Sequence, residues 1–333
     1  MIHHSSAALA TARHTFAVIG GDRRMQYLAE YLSRSGYAVS LVGSGEDTLP
    51  AGHRDHPIRR VATLDAAVSE ATVLVLPLPA SRDGETVWCP RDPALSIPLS
   101  MIIDHLDRRP DLCLFGGRLP PRLAAHARAA DYYTSEILCL KNAYLTAEAA
   151  LMTAMQSTDC AVSNSSVAVI GYGRIGEMLA GLLSSLGAHV TVCARRREVL
   201  VRAEIAGHST IRMDESDTWS DGLAPLARGY SVIFNTVPAH VLDRFILARL
   251  TQGCQLIDLA SAPFGVADED LRDPAVTGHI RYLRVPSLPG SYAPRDAGIA
   301  IADTILASLE TTSRPHDPHG IHDPHHPKGG THP

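Results

Sequence analysis

Apolar residues along this chain fall into short continuous runs separated by stretches of helical periodicity. The run Phe16-Ala17-Val18-Ile19 leads into Gly20-Gly21-Asp22, after which Met25, Leu28, Ala29 and Leu32 recur at three- and four-residue spacing. The first pattern predicts a buried strand and the second an amphipathic helix. Gly36 predicts the end of that helix, and residues 38–42 a second strand. Residues 73–76, ending at Pro77, and 112–115, ending at Gly116-Gly117, predict two more. A second series opens at residues 166–170 and runs to about Val285. Strands alternating with helices predict parallel, doubly wound sheets, an α/β class of fold.

Between the two series, residues 135–157 are rich in Ala, Leu and Met and contain no proline. A linker helix is predicted there, with the domain junction. From Asp296 to Leu309 the pattern is helical again, with Ile299, Ala302, Ile305, Ala307 and Leu309 mostly on one side. This helix is expected to return to the first domain and brace the cleft. Beyond Ser313 the sequence becomes RPHDPHGIHDPHHPKGGTHP, a composition that builds no core and predicts a disordered tail. The expected division is 1–134, 135–158 (linker helix), 159–291, 292–312 (C-terminal helix) and 313–333 (tail).

The sharpest chemical signal is Gly171-Tyr172-Gly173-Arg174-Ile175-Gly176. It follows the strand at 167–170 and opens a helix bearing Ile175, Leu179, Leu182 and Leu183, which lifts it well above a lone glycine match. In a dinucleotide loop Gly171 permits the tight turn, Gly173 lets the backbone approach a pyrophosphate, and Gly176 allows close packing. Free N–H groups at the helix start favour phosphate. Both units are therefore expected to be Rossmann-like, with the dinucleotide on the second. After the next strand the chain reads Ala194-Arg195-Arg196-Arg197, where an NAD site carries an acid for the ribose 2′-hydroxyl. Guanidinium groups there suit a 2′-phosphate, so the expected cofactor is NADP, held by Arg195 and Arg196. Arg197 also reads as a solvated helix start. Two further strand ends, Asn235-Thr236-Val237 and Asp258-Leu259-Ala260-Ser261, point to the same crevice. Asn235, Thr236, Val237, Asp258 and Ser261 are candidates for the ribose–nicotinamide half, and each also reads as a residue capping its own loop.

Composition narrows the partners. The chain has 333 residues, 45% hydrophobic and 20% charged, enough for two ordinary domains. A net charge of −5, from 30 basic and 35 acidic residues, gives no basic excess for nucleic acid. No apolar run approaches the ~20 residues of a membrane span. The opening residues lack the long apolar stretch of a secretory signal, so a cytoplasmic location is expected. Six scattered cysteines without a C-x-x-C pair predict buried free thiols and no metal site. Sequence leaves a homo-oligomer open.

Several segments, in order, resemble the family of dipicolinate synthase A subunits. They are Ile19-Gly20-Gly21-Asp22-Arg23-Arg24-Met25, the segment Asn142-Ala143-Tyr144-Leu145-Thr146-Ala147-Glu148, the glycine loop, residues 235–239, residues 258–261, and Leu288-Pro289-Gly290-Ser291-Tyr292-Ala293-Pro294-Arg295. Arg295 stands where that family leads one to expect lysine, a change that keeps charge but not geometry. The resemblance implies an enzyme of sporulation. It would oxidise dihydrodipicolinate to dipicolinate with a nicotinamide cofactor, beside a flavoprotein-like B subunit.

A substrate with two carboxylates calls for cations. Arg24, after the first glycine turn, and Arg295, near the start of the last helix, are the leading candidates, with Arg23 and Lys141 behind them. Each also reads as a surface charge. Asp22, Glu136 and Glu148 are the candidate proton acceptors, and Asp22 also reads as a helix cap. Two rival readings stay open. One is a 2-hydroxyacid dehydrogenase, which needs an Arg, a carboxylate and a His around a carbonyl. The other is a non-catalytic NADP-binding partner of the B subunit.

Overall fold

The computed structural model describes residues 14–45, 57–213, 220–227 and 229–313; residues 314–333 of the expected tail lie outside them. The α/β reading holds. Strands β1 (Thr15–Ile19), β2 (Ala38–Val42), β3 (Ile58–Arg60), β4 (Val73–Val75), β5 (Cys113–Gly116) and β6 (Ala129–Asp131) form one sheet in the order β3-β2-β1-β4-β5-β6. Strands β7 (Ser166–Ile170), β8 (His189–Ala194), β9 (Ser209–Arg212), β10 (Val232–Asn235), β11 (Gln255–Asp258) and β12 (Arg281–Arg284) form a second. Its order, β12-β11-β10-β7-β8-β9, is the same winding repeated. All neighbours are parallel, and both sheets are covered by helices, which is why their central strands are apolar on both faces. Each winding reverses beside its first strand, and ligands of open α/β sheets bind at that switch point.

The linker helix, Glu136–Ser157, begins with Ser135 as its cap and joins the two cores. Leu138 is buried in the first core, with Phe16, Met25 and Leu28. Ala147, Ala149, Ala150 and Ala154 are buried in the second, against Leu179, Ala180 and Leu183 of the glycine-loop helix Arg174–Ser185. Small side chains let the two helices lie close.

The C-terminal helix, Pro294–Ser313, does return to the first unit. Its buried face is Ala300, Ile301, Ala302, Ile305 and Leu309, packed on the first helix, Arg23–Arg34. Ala307, expected on that face, is exposed. Tyr31 donates to Asp303 at 2.8 Å, a bond that with burial pushes the phenol up to about 12. The closest approach is at Gly298, where a Cβ would stand 2.4 Å from the Arg24 carbonyl oxygen.

A second lock holds the loops after β10 and β11. Asp258 is fully buried and accepts from Asn235 Nδ2 (2.9 Å), Ala260 N (3.2 Å), Gly265 N (2.7 Å) and Tyr282 Oη (2.8 Å). Asn235 also closes its own turn, accepting from Val237 N and donating to Val237 O. The cysteines depart from expectation. Cys89, Cys193 and Cys254 are buried free thiols, but Cys113 and Cys139 are half-buried and Cys160 is exposed. No helix among the described residues is long and apolar enough to cross a membrane.

These contacts set two expectations for stability. Gly298→Val should cost about 1–3 kcal/mol by overpacking and lower Tm by a few degrees. Gly181→Ala, on a helix surface with nothing within 4 Å of the added methyl, should lower neither. Calorimetry of both variants checks this, and equal Tm for Gly298→Val and the unaltered chain would remove the packing argument. Asp258→Asn should cost roughly 1–3 kcal/mol or more, because an amide nitrogen would then face a buried donor. Urea unfolding with an unchanged midpoint would contradict it.

Candidate functional site

The glycine loop fits a dinucleotide by geometry as well as by spelling. Gly171 has φ +91°, and a Cβ there would meet Thr236 Oγ1 at 2.3 Å. At Gly176 a Cβ would meet the Gly171 carbonyl oxygen at 2.1 Å, so the helix can pack this close only with glycine. A Cβ on Gly173 would meet nothing within 4 Å, which leaves that face of the loop open to an incoming phosphate. Gly173 is also the cap residue of a 12-residue helix and supplies no side-chain cap, so the first N–H groups remain available.

These residues line a cavity of about 380 Å³ at the switch point between β7 and β10. Its lining includes Gly171, Gly173, Arg174 and Ile175 of the loop, Ala194, Arg195 and Arg196 after β8, and Thr236 and Val237 after β10. Gly176 is not among the lining residues and packs against the Gly171 carbonyl. Arg174 is an exposed bidentate partner of Glu136, Nε to Oε1 2.8 Å and Nη2 to Oε2 2.5 Å, which ties the start of the linker helix to the loop. Hydrogen bonding from Arg174 holds the Glu136 carboxyl below the usual range, the wrong direction for a proton acceptor. Arg196 pairs with exposed Glu198 (3.2 Å) and Arg197 with Glu204 (3.3 Å). Thr236 donates its hydroxyl to Ile170 O at 2.9 Å.

Asn235 and Asp258 line neither this cavity nor its neighbour. Their polar atoms are consumed by the loop lock, so the capping reading describes them better than the cofactor one. Ser261, on the loop they hold, does reach a cavity.

That neighbouring cavity, about 130 Å³, lies between the two units. It shares Tyr133, Asn142 and Ile175 with the dinucleotide cavity, so the two are adjacent. Its other walls come from both halves: Arg24, Leu78, Pro79 and Arg118 from the first, and Leu259, Ser261, Ser287 and Leu288 from the second. Arg24 is buried and firmly held. Its Nε donates to Asp22 Oδ1 (2.9 Å), and Nη2 to Asp22 Oδ2 (2.9 Å) and Leu78 O (2.5 Å). Asp22 also caps the first helix by accepting from Arg24 N at 3.1 Å. Both carboxylate oxygens are thus engaged, which argues against Asp22 as a base. Gly290 makes the pairing possible, since a Cβ there would stand 2.5 Å from Asp22 Oδ2.

The remaining sequence candidates do not converge here. Arg295 is exposed and lines a separate surface hollow with Arg23, Tyr27, Glu148 and Tyr292. Glu148 therefore faces that hollow rather than the chamber. Lys141 is exposed and pairs with Asp303 at 3.5 Å. The reason is helical phase. Thr146 and Asn142 point the inner face of the linker helix at the chamber, and Lys141 and Glu148 fall on its outer side. Arg118 and Tyr133 were missed in the sequence, although Arg118 directly follows the Gly116-Gly117 strand end. Among the described residues, no group of three or more His, Cys, Asp or Glu gathers as a metal site.

Comparison with known proteins accords with this geometry. Residues 15–138 match the family model described as the N-terminal domain of the dipicolinate synthase A subunit, and residues 166–212 that of pyridine nucleotide-disulphide oxidoreductases. The crystal structure of the dipicolinate synthase A subunit from Bacillus halodurans superposes with a TM-score of 0.75 at 27% identity, covering 90% of this chain and 98% of that one. The corresponding chain from Bacillus subtilis gives 0.73 at 27%, covering 91% and 99%. A transhydrogenase from Sinorhizobium meliloti, at 13% identity and a TM-score of 0.60 over 90% and 93%, shares the fold. The dipicolinate synthase A subunit of Bacillus subtilis (strain 168) is 30% identical over 299 residues, 88% of this chain and 95% of that protein. An oxidoreductase with a nicotinamide dinucleotide domain, alike in sequence and fold across nearly its whole length, this chain belongs to the family of dipicolinate synthase A subunits.

Proposed function

We propose that the chain oxidises dihydrodipicolinate to dipicolinate with NADP during sporulation, as the A subunit of a pair whose B subunit is flavoprotein-like. The observation that carries this reading is the interdomain chamber, which adjoins the dinucleotide cavity at Tyr133, Asn142 and Ile175. Residues 1–134 would supply the substrate half and 159–291 the NADP half, joined by 135–158 and braced by 292–312. A bound nicotinamide would accept the hydride lost from the dihydropyridine ring. The chain's own part is to orient that ring beside it, through Ile175 and Tyr133, and to present the Arg24 guanidinium to a carboxylate.

No carboxylate or imidazole is among the described residues lining the chamber. A 2-hydroxyacid dehydrogenase would need such a pair, so that reading loses its support. The same feature favours, as a second reading, a chain that binds NADP while the B subunit contributes to the chemistry. Assaying dihydrodipicolinate oxidation with each of the two proteins by itself, and then with both, separates the readings. We expect NADPH and dipicolinate to form in equal amounts when both proteins are present. Product from the B subunit by itself would favour the second reading, and no NADPH in any mixture would end both. Arg24→Ala should lower kcat/KM about tenfold to a hundredfold, the worth of a charge-assisted bond, with NADP affinity kept. Arg295→Ala, in its separate hollow, should change it little.

The cofactor preference rests on Arg195 and Arg196 at the far end of the cavity, with no acid on the strand end they follow. Arg195→Ala and Arg196→Ala should each weaken NADP roughly tenfold to a hundredfold and leave NAD nearly unchanged. Equal titration affinities of the unaltered chain for NAD and NADP would overturn the preference.

A further inference from the structure

A dicarboxylate needs two cationic or donor positions, and Arg295 does not supply the second. The chamber contains another guanidinium. Arg118 follows β5 and the Gly116-Gly117 turn, where the carboxyl end of a strand opens on the cleft. Its backbone is left-handed, φ +50°, a conformation that a long side chain rarely adopts without something to hold it. Asp131 holds it, accepting from Arg118 N at 3.1 Å and Leu119 N at 2.9 Å. The same carboxylate accepts from Tyr133 N at 2.8 Å, so one acid fixes both the arginine and the tyrosine of the shared wall. The guanidinium then lies over the Tyr133 ring, 5.1 Å from its centre. Asp131 spends its oxygens on backbone N–H groups, and no carboxylate of a described residue pairs with the Arg118 guanidinium.

Charge accounting then separates the two arginines. Asp22 pairs with Arg24, whereas Arg118, an exposed residue on the wall of the same chamber, has no carboxylate of a described residue paired with its guanidinium. We propose that Arg118 is the specificity-determining residue of a dicarboxylate subsite, binding one carboxylate of a ring-borne diacid while Arg24 faces the other. This rests on the substrate reading above. Arg118 reaches the ligand directly, with a planar donor edge that suits bidentate pairing with a carboxylate. Its stacking on Tyr133, a wall of the dinucleotide cavity too, would set the ring of the diacid beside the nicotinamide end.

Binding of pyridine-2,6-dicarboxylate and pyridine-2-carboxylate to the full chain, saturated with NADP and followed by calorimetry, tests the subsite. The unaltered chain should bind the diacid at least about tenfold tighter than the monoacid, the worth of one charge-assisted contact. Arg118→Gly, whose backbone accepts φ +50° without strain, should weaken the diacid roughly tenfold to a hundredfold and bring the two ligands to similar affinity. Arg118→Lys should recover part of the difference, and NADP affinity should stay constant in both variants. An unchanged diacid preference in Arg118→Gly, or a loss of NADP affinity in its place, would overturn the subsite alone. If the unaltered chain binds neither ligand, the substrate reading falls and the subsite with it.

Discussion

The cleft depends on one helix being shared by two hydrophobic cores. Leu138 commits the start of the linker helix to the first core, and Ala147, Ala149, Ala150 and Ala154 commit the rest to the second. Neither unit can rotate freely about a helix that both have buried, because shifting it would open apolar surface at about 25 cal/mol per Å². Its alanines matter for their size. They bring the glycine-loop helix close, and so bring Asn142 and Ile175 to the boundary where the two cavities meet. The Glu136–Arg174 pair fixes the same junction at the surface, where solvent screening leaves it worth little by itself. Packing sets the cleft, and charge trims it.

On the far side, the C-terminal helix closes the chain back onto the first unit, and its approach segment touches the site. Gly290 meets the Asp22–Arg24 pair, and Gly298 meets the backbone of Arg24 itself. Arg24 is thus held by Asp22, by the Leu78 carbonyl and by the passing chain. Removing one partner of such a buried pair typically costs about 3–5 kcal/mol. A cation kept rigid in this way costs little further ordering when a ligand arrives, which is the advantage of preorganisation.

Most of the fold was legible because the central strands are continuous apolar runs and the helices carry clear periodicity. The strands without a clear signal, Ile58–Arg60, Ala129–Asp131, Ser209–Arg212 and Arg281–Arg284, are the four sheet edges. These edge strands are mostly exposed or half-buried, so burial demands no apolar run of them. The glycine loop was legible because each glycine answers a steric demand on the backbone, and sequence records backbone demands directly. Asn235 and Asp258 misled for a related reason. A polar residue at a strand end is wanted both by ligands and by the loop's own N–H groups, and only coordinates tell which takes it. Helical phase puts Lys141 and Glu148 away from the chamber, and Arg295 lines a separate hollow. Arg118 carries no local motif. Its position depends on Asp131, 13 residues later, closing a turn that no short window contains.

Among the described residues no carboxylate or imidazole lines the chamber, which bears on what such a site must do. Asp22 has both oxygens engaged by Arg24, Glu136 is committed to Arg174, and Glu148 faces another hollow. On the proposed reading the reaction gains an aromatic ring, so its driving force comes from the substrate. A ring proton lost to water or to a partner's group then needs no strong base from this chain. What the ring does need is a fixed distance to the nicotinamide and a counterweight to its carboxylates, both of which weaken quickly with misplacement. On that reading a chamber walled by a shared helix, with one arginine paired to Asp22 and one unpaired at its guanidinium among the described residues, supplies position and charge rather than proton transfer.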